Sequence, residues 1–161
     1  MSHKFSHSTS TLIMKVYISG ALTGIQEIES LKKLYCDIGQ ICTDKGLEPY
    51  IPHLHTDPVS HADVTPQEVF KQDKGQTISS DLVIAYVDYP SLGVGMEIAY
   101  AEVYNIPVIM LYRKGNKISR FPRGIHNLIA EIEFCSYEDA LTQLASALQD
   151  FLQRSLGKTK N

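Results

Sequence analysis

Short, continuously apolar runs alternate along the chain with longer stretches in which apolar residues recur every three or four positions. This is the pattern of strands buried on both faces and separated by surface helices. Residues 81 to 112, DLVIAYVDYPSLGVGMEIAYAEVYNIPVIMLY, carry the clearest unit. Asp81 to Val87 is a β-branched run short enough for a buried strand, and it stops at Asp88, Tyr89 and Pro90, where turn chemistry takes over. The pattern then predicts a glycine loop over 91–95 and a helix from Gly95, with Val94, Ile98 and Ala101 at i, i+4 and i+7. Asn105 and Pro107 supply the stop, and Val108 to Tyr112 reads as a second buried strand parallel to the first.

Upstream, Leu12 to Ser19 reads as the first strand, and Gly20, Ala21, Leu22, Thr23 and Gly24 form a second glycine-bearing loop after it. Ile28, Leu31, Tyr35, Ile38 and Cys42 recur at helical spacing, and Gly46 stands where a left-handed residue would end that helix. Leu47 to Ile51 is a short strand placed at an edge, because Pro49 cannot donate a ladder hydrogen bond. Thr65, Pro66, Gln67 and Glu68 spell a capping box with proline at the first helical position, opening a helix that runs to about Ser80.

Downstream, a polar loop over 113–122 precedes a short helix expected over 123–130 and a fifth strand over 132–135. Ser136 then caps a final helix with Leu141, Leu144, Leu148, Phe151 and Leu152 in one apolar stripe, suited to a core or a dimer face. The alternation predicts an α/β fold: a single doubly wound, flavodoxin- or Rossmann-like, five-stranded parallel sheet in the order 2-1-3-4-5, with helices on both faces. In that order the first and third strands are neighbours, so both glycine loops meet at the switch point.

The 161 residues, 43% hydrophobic, suffice for one well-buried domain, assigned to 12–156. Residues 1–11, polar and rich in Ser and His, read as a disordered leader or expression remnant, and 157–161 as a tail. A formal charge of −3 without a basic tract argues against a nucleic-acid polymer as partner, though not against a single nucleotide. The sequence has neither an apolar run of bilayer length nor the regions of a signal peptide, which predicts a soluble cytoplasmic protein. Cys36, Cys42 and Cys135 are odd in number and widely spaced, so they are expected to be reduced core thiols, not a disulfide framework or a zinc site.

Candidate chemistry concentrates at the carboxyl edge of the sheet. The loop bearing Ser91, Gly93 and Gly95 would let backbone approach a ligand, and the helix start beyond it favours an anion such as phosphate. Glu97 is expected in the first turn of that helix, where its ordinary role is to complement the dipole. Asp73, four residues after Val69 and three after Phe70, lies beside an apolar stripe; its ordinary role is a boundary carboxylate hydrogen-bonded to a neighbouring element. His53, His55, Asp57, His61 and Asp63 share an aperiodic stretch over 52–64 that lacks a third ligand at helical spacing, so it reads as a lid or rim and not a metal centre.

Ser91 to Glu97, SLGVGME, following a buried strand that ends in Asp88, resembles the nucleoside 2-deoxyribosyltransferase superfamily, and most closely its 2′-deoxynucleoside 5′-phosphate N-hydrolases. The resemblance extends through Tyr17, Gly20 and Gly24, the Gln72 and Asp73 pair, and residues 119–124, covering most of the chain from Val16 to Gly124. It implies that Glu97 is the nucleophile, Asp73 the carboxylate that assists it, and Tyr17 the phenol at the reacting centre. It implies that Gly20, Leu22, Thr23, Ser91, Gly93 and Gly95 line the substrate, and that Ser119 reaches the phosphate from the other subunit of a homodimer. No cofactor and no metal are implied.

The resemblance further implies hydrolysis of the N-glycosidic bond of a 2′-deoxynucleoside 5′-monophosphate. One departure is notable: Thr23 stands where the nucleotide hydrolases have an arginine, leaving Arg113, Lys114, Arg120 or Arg123 to supply a cation. That departure favours, as an alternative, base exchange between free deoxynucleosides. A ribonucleotide phosphoribohydrolase is disfavoured because SLGVGME lacks the paired glycines and threonine of that type. A non-catalytic nucleotide sensor is the alternative of another class.

Overall fold

The computed structural model describes residues 13–158. Strand β1 (Lys15–Gly20) leads to α1 (Ile28–Asp44) and the three-residue β2 (Glu48–Tyr50). A short α2 (His53–Thr56) precedes α3 (Pro66–Ile78), β3 (Leu82–Tyr86), α4 (Leu92–Val103) and β4 (Val108–Arg113). Then follow α5 (Arg120–Arg123), β5 (Leu128–Phe134) and α6 (Tyr137–Lys158). The five strands form one parallel sheet in the order β2-β1-β3-β4-β5, the arrangement that the patterning predicts.

Each face of the sheet is sealed by a different helix pair. The α1 stripe of Leu31, Leu34, Tyr35, Ile38 and Cys42 packs with Ala140, Leu144, Leu148 and Phe151 of α6 over Val16, Ile18, Ile84 and Leu111. On the opposite face Val94, Ile98 and Ala101 of α4 cover Tyr17, Val83, Ala85 and Met110, and α3 lies against α4. Every residue of β3 is buried, as expected of a parallel strand covered on both sides. No described helix is long and apolar enough to cross a membrane.

The local signals act as their chemistry dictates. Gly46 takes a φ of 76° beyond α1. Thr65 and Glu68 satisfy each other's backbone donors at the start of α3, with Pro66 at its first position. Ser136 accepts from the Asp139 N–H at 3.1 Å, while Asp139 accepts from the Cys135 N–H at 2.8 Å, a second reciprocal cap that opens α6.

Several expectations need correction. Helix α4 begins at Leu92 and not Gly95, because Ser91 serves as its N-cap: its hydroxyl accepts from the Val94 N–H and its carbonyl from the Gly95 N–H. Gly93 and Gly95 are therefore helical, and Glu97 falls in the second turn. The helix expected over 123–130 does not form. Only 120–123 are helical, and β5 starts at Leu128, earlier than predicted, because an edge strand with alternating burial reads as polar in sequence.

Smaller differences follow the same pattern of frayed or misplaced ends. Strand β1 starts at Lys15, and Leu12 lies outside the described residues. Helix α3 stops at Ile78, short of the end expected near Ser80, and α6 spans Tyr137–Lys158. Cys42 is the core thiol, whereas Cys36 and Cys135 are exposed.

Candidate active site

Strands β1 and β3 end side by side, with Gly20 paired to Tyr86, and from there the chain departs toward α1 on one face and α4 on the other. A cleft of about 610 Å³ opens at this divergence. Gly20, Leu22 and Thr23 line it from the first loop, Ser91, Gly93 and Glu97 from the start of α4, and Asp73 from α3. Seven of the sequence-predicted residues thus share one cavity. Gly20 is required by packing: a Cβ there would lie 2.3 Å from the Tyr35 ring, whose hydroxyl bonds to the Ala21 carbonyl.

Glu97 forms the floor of the cleft, and β1 holds it from below. Tyr17 and Ser19 alternate with Val16 and Ile18, so both point to the α4 face of the strand, and both are fully buried. The Tyr17 hydroxyl donates to Glu97 Oε1 at 2.7 Å, and the Ser19 hydroxyl donates to Oε2. Burial pushes the Glu97 carboxyl up to about 7, against the two hydroxyl bonds, which favour the anion; the nearby Asp73 charge adds to the rise. Burial first, then the charges of Glu97 and Asp73, drive the Tyr17 phenol far above the ordinary tyrosine range, so it remains a proton donor.

Asp73 forms the facing wall. The Thr56 hydroxyl stands 3.3 Å from each of its carboxylate oxygens, and the Tyr50 hydroxyl is 3.4 Å from Oδ1. Gln72 donates to that same Tyr50 oxygen at 2.9 Å. Tyr50 is stacked between Tyr17, with ring centres 5.6 Å apart, and His55, at 4.7 Å. Burial raises the Asp73 carboxyl above its ordinary value, opposed by the Thr56 and Tyr50 bonds. The site therefore contains two carboxylates of elevated proton affinity, each fixed by hydroxyl donors.

The stretch over 52–64 forms a wall and rim, as expected: Pro52, Thr56, Pro58, His61 and Ala62 line the cleft. Asp57 anchors it. Buried, it accepts the Val59 and Ser60 N–H groups at 2.9 Å and pairs with Lys32 at 2.6 Å. The three histidines separate: His53 packs against Tyr35 and Cys36, His55 against Tyr50, and His61 stands at the cleft.

Some predicted residues lie elsewhere. Gly95 is in α4 but does not line the cleft, and Tyr17 lies beneath its surface. Ser119 is exposed at the start of α5, where it accepts from the Phe121 N–H, and it does not line the cleft of this chain. Of the cations considered, Arg113 is committed to Asp88 and Tyr137, and Arg123 to Glu131. Neither they nor Lys114 and Arg120 line the cleft; among the described residues the ammonium that does is Lys74, over the rings of Phe70 and Tyr100 at 5.3 and 4.8 Å.

Sequence reasoning missed Ser19, Tyr50, Thr56 and Lys74. For Ser19 the signal was available: it follows Tyr17 by two positions on a buried strand, and so shares its face. Tyr50 and Thr56 belong to other segments, and nothing local points them at Asp73.

No family model matches the chain. The fold is that of the doubly wound proteins that include N-glycosidases and 2-deoxyribosyltransferases. A CMP N-glycosidase of Clostridium botulinum superposes with a TM-score of 0.64 at 22% identity, covering 81% of this chain and 96% of its own. The 2-deoxyribosyltransferase of Bacillus psychrosaccharolyticus does so with a TM-score of 0.57 at 21% identity, covering 79% and 90%. Sequence narrows the class. A Thermofilum pendens protein, assigned provisionally by its name as 2′-deoxynucleoside 5′-phosphate N-hydrolase 1, is 32% identical over 143 residues, covering 84% of this chain and 95% of that protein. The chain belongs to the 2′-deoxynucleoside 5′-phosphate N-hydrolase family.

Proposed function

We propose that the protein hydrolyses the N-glycosidic bond of a 2′-deoxynucleoside 5′-monophosphate through a covalent glutamyl-deoxyribosyl intermediate, releasing free base and deoxyribose 5-phosphate. The observation that carries this reading is the Glu97 carboxylate, gripped from below by Tyr17 and Ser19 in a cleft whose facing wall presents Asp73. Cleavage builds positive charge on the sugar, and a carboxylate beneath C1′ stabilises that charge and then bonds to it. In the reactive form the Glu97–Asp73 pair keeps one proton, carried by Asp73; it passes to the departing base, and Asp73, then a carboxylate, takes a proton from the water that attacks C1′ and frees Glu97. A 2-deoxy sugar suits this route because it lacks the electron-withdrawing hydroxyl beside the forming cation.

The 5′-phosphate would occupy the start of α4, where the Leu92 and Gly93 N–H groups precede the first intrahelical bond and the dipole favours an anion. Lys74 is the candidate cation of the cleft. Supporting a homodimer with Ser119 contributed across its interface, Leu92, Met96 and Val103 form an exposed stripe along α4. Leu92 is 92% exposed, and so is Phe121, at 93%, two residues after Ser119. Light scattering of the purified protein tests the dimer, and Ser119→Ala should then weaken use of phosphorylated substrates alone.

The deciding experiment incubates the protein with each deoxynucleoside, its 5′-monophosphate and the matching ribonucleotide, and measures released base. Release from a deoxynucleoside monophosphate supports the reading, and release from none overturns it. Thr23, in place of an arginine, favours a second reading: base exchange between deoxynucleosides. Adding a free second base separates the two, since a transferase alone forms the new nucleoside. A sensor would bind the nucleotide and release nothing.

A further inference from the structure

We infer that Ser19 is a positioning residue of this site: its hydroxyl fixes the plane of the Glu97 carboxylate and holds that group as the anion. The inference rests on Glu97 being the nucleophile. Ser19 sits on β1 opposite Ala85 of β3, on the sheet face that α4 covers with Val94 and Ile98. A hydroxyl in such surroundings is costly unless bonded, and the bond this one makes is to Glu97 Oε2. Tyr17, two residues earlier on the same strand, takes Oε1. One strand therefore supplies a donor to each carboxylate oxygen, and two donors fix a planar group against rotation where one would act as a pivot.

This arrangement bears on both chemical steps. A carboxylate with two donors is acceptor-only, so the pair of hydroxyls favours the ionised form needed for attack on C1′. When the sugar bonds to one oxygen, the donor on the other remains on the ester carbonyl. When water releases the sugar, the C1′–O bond breaks, its electron pair returns to Glu97, and both donors again face an anion. Loss of Ser19 would remove half of that support while leaving the apolar packing of β1 unchanged.

The electrostatic surroundings of Glu97 are otherwise acidic or phenolic. Tyr17 faces it from β1, Asp73 from α3, and Tyr50 and Tyr35 lie further off on β2 and α1, while Lys74 and His61 are the basic groups lining the same cleft. Asp73 opposes ionisation of Glu97, which leaves the two hydroxyls as the direct contacts that favour it.

Ser19→Ala tests the inference by two readouts that a packing role would not move. The limb of the pH profile of base release that Glu97 sets, the alkaline one, should shift upward by about one pH unit. At pH 7 the turnover should fall by about fivefold, with most of the loss, measured against the parent at the same pH, recovered at alkaline pH. The titration of Glu97, followed by carbon NMR of labelled glutamate in the ligand-free protein, should shift upward by the same amount. Ser19→Cys, of similar size and with a weak donor, should fall between the two and serves if the alanine variant is unstable. An unchanged Glu97 midpoint, or an equal loss of activity at every pH, overturns the inference. Absence of base release from the unaltered protein would instead remove the proposed hydrolysis, while the NMR titration still decides whether Ser19 controls Glu97.

Discussion

The Tyr17 hydroxyl lies 2.7 Å from Oε1 of Glu97, although eighty positions separate the two residues in the chain. The contact exists because β1 and β3 are neighbours and α4 folds back over β1 from the end of β3. A strand and a helix start that are distant in sequence thereby assemble the floor of one cleft.

Replacing the carboxylate tests the centre of this arrangement. Glu97→Ala should abolish base release while nucleotide binding, measured by calorimetry, stays detectable, because the phosphate subsite at the start of α4 is left intact. Near-normal turnover in that variant would remove Glu97 as nucleophile.

The pH dependence follows from the elevated proton affinity of the same group. The mechanism needs one proton on the Glu97–Asp73 pair, so with Glu97 pushed up to about 7 the kcat/KM profile of base release should be bell-shaped, with its alkaline limb near that value, where the pair loses its last proton. A profile still rising above pH 8 would show that the reaction does not need that proton.

Stability should be lost over the same range of pH. A carboxyl whose folded value lies above its ordinary 4.5 contributes stability that is complete below that value and is lost as the pH rises through about 7. Asp73 is shifted in the same direction, whereas Asp57, held low, matters only under more acidic conditions. Glu97→Gln should therefore be more stable than the parent at pH 8, by up to roughly 3 kcal/mol, and little different at pH 4, as read by urea unfolding at each pH.

Asp73→Asn should slow the reaction most for bases that leave poorly, because an amide cannot supply the proton they need. Equal slowing across a series of bases would contradict a proton-handling role and leave Asp73 as a structural partner of Thr56 and Tyr50.

Gly20→Ala should destabilise the fold by roughly 1 to 3 kcal/mol, since the added methyl would meet the buried Tyr35 ring at the end of β1. Thermal unfolding of that variant provides the measurement, and a neutral result would mean that Tyr35 moves aside freely.

Periodicity marked the strands and the faces of α1, α4 and α6, because strands buried on both faces and amphipathic helices leave patterns that need no knowledge of their neighbours, and the strand order followed from their alternation only through the topology rules of doubly wound sheets. Capping chemistry marked the starts of α3 and α6, since those bonds span only three or four residues. The start of α4 and the reach of β5 were not legible, because a serine cap can enrol glycines in a helix and an edge strand can look polar. The motif SLGVGME pointed to Glu97. Only the tertiary structure decided that Ser19 and Tyr17 take separate oxygens of that carboxylate, that Tyr50 and Thr56 converge on Asp73, and that Lys74 lines the cleft. Those contacts join β1, β2, α2, α3 and α4, and side chains from five segments acquire a common geometry only when the sheet brings their ends together.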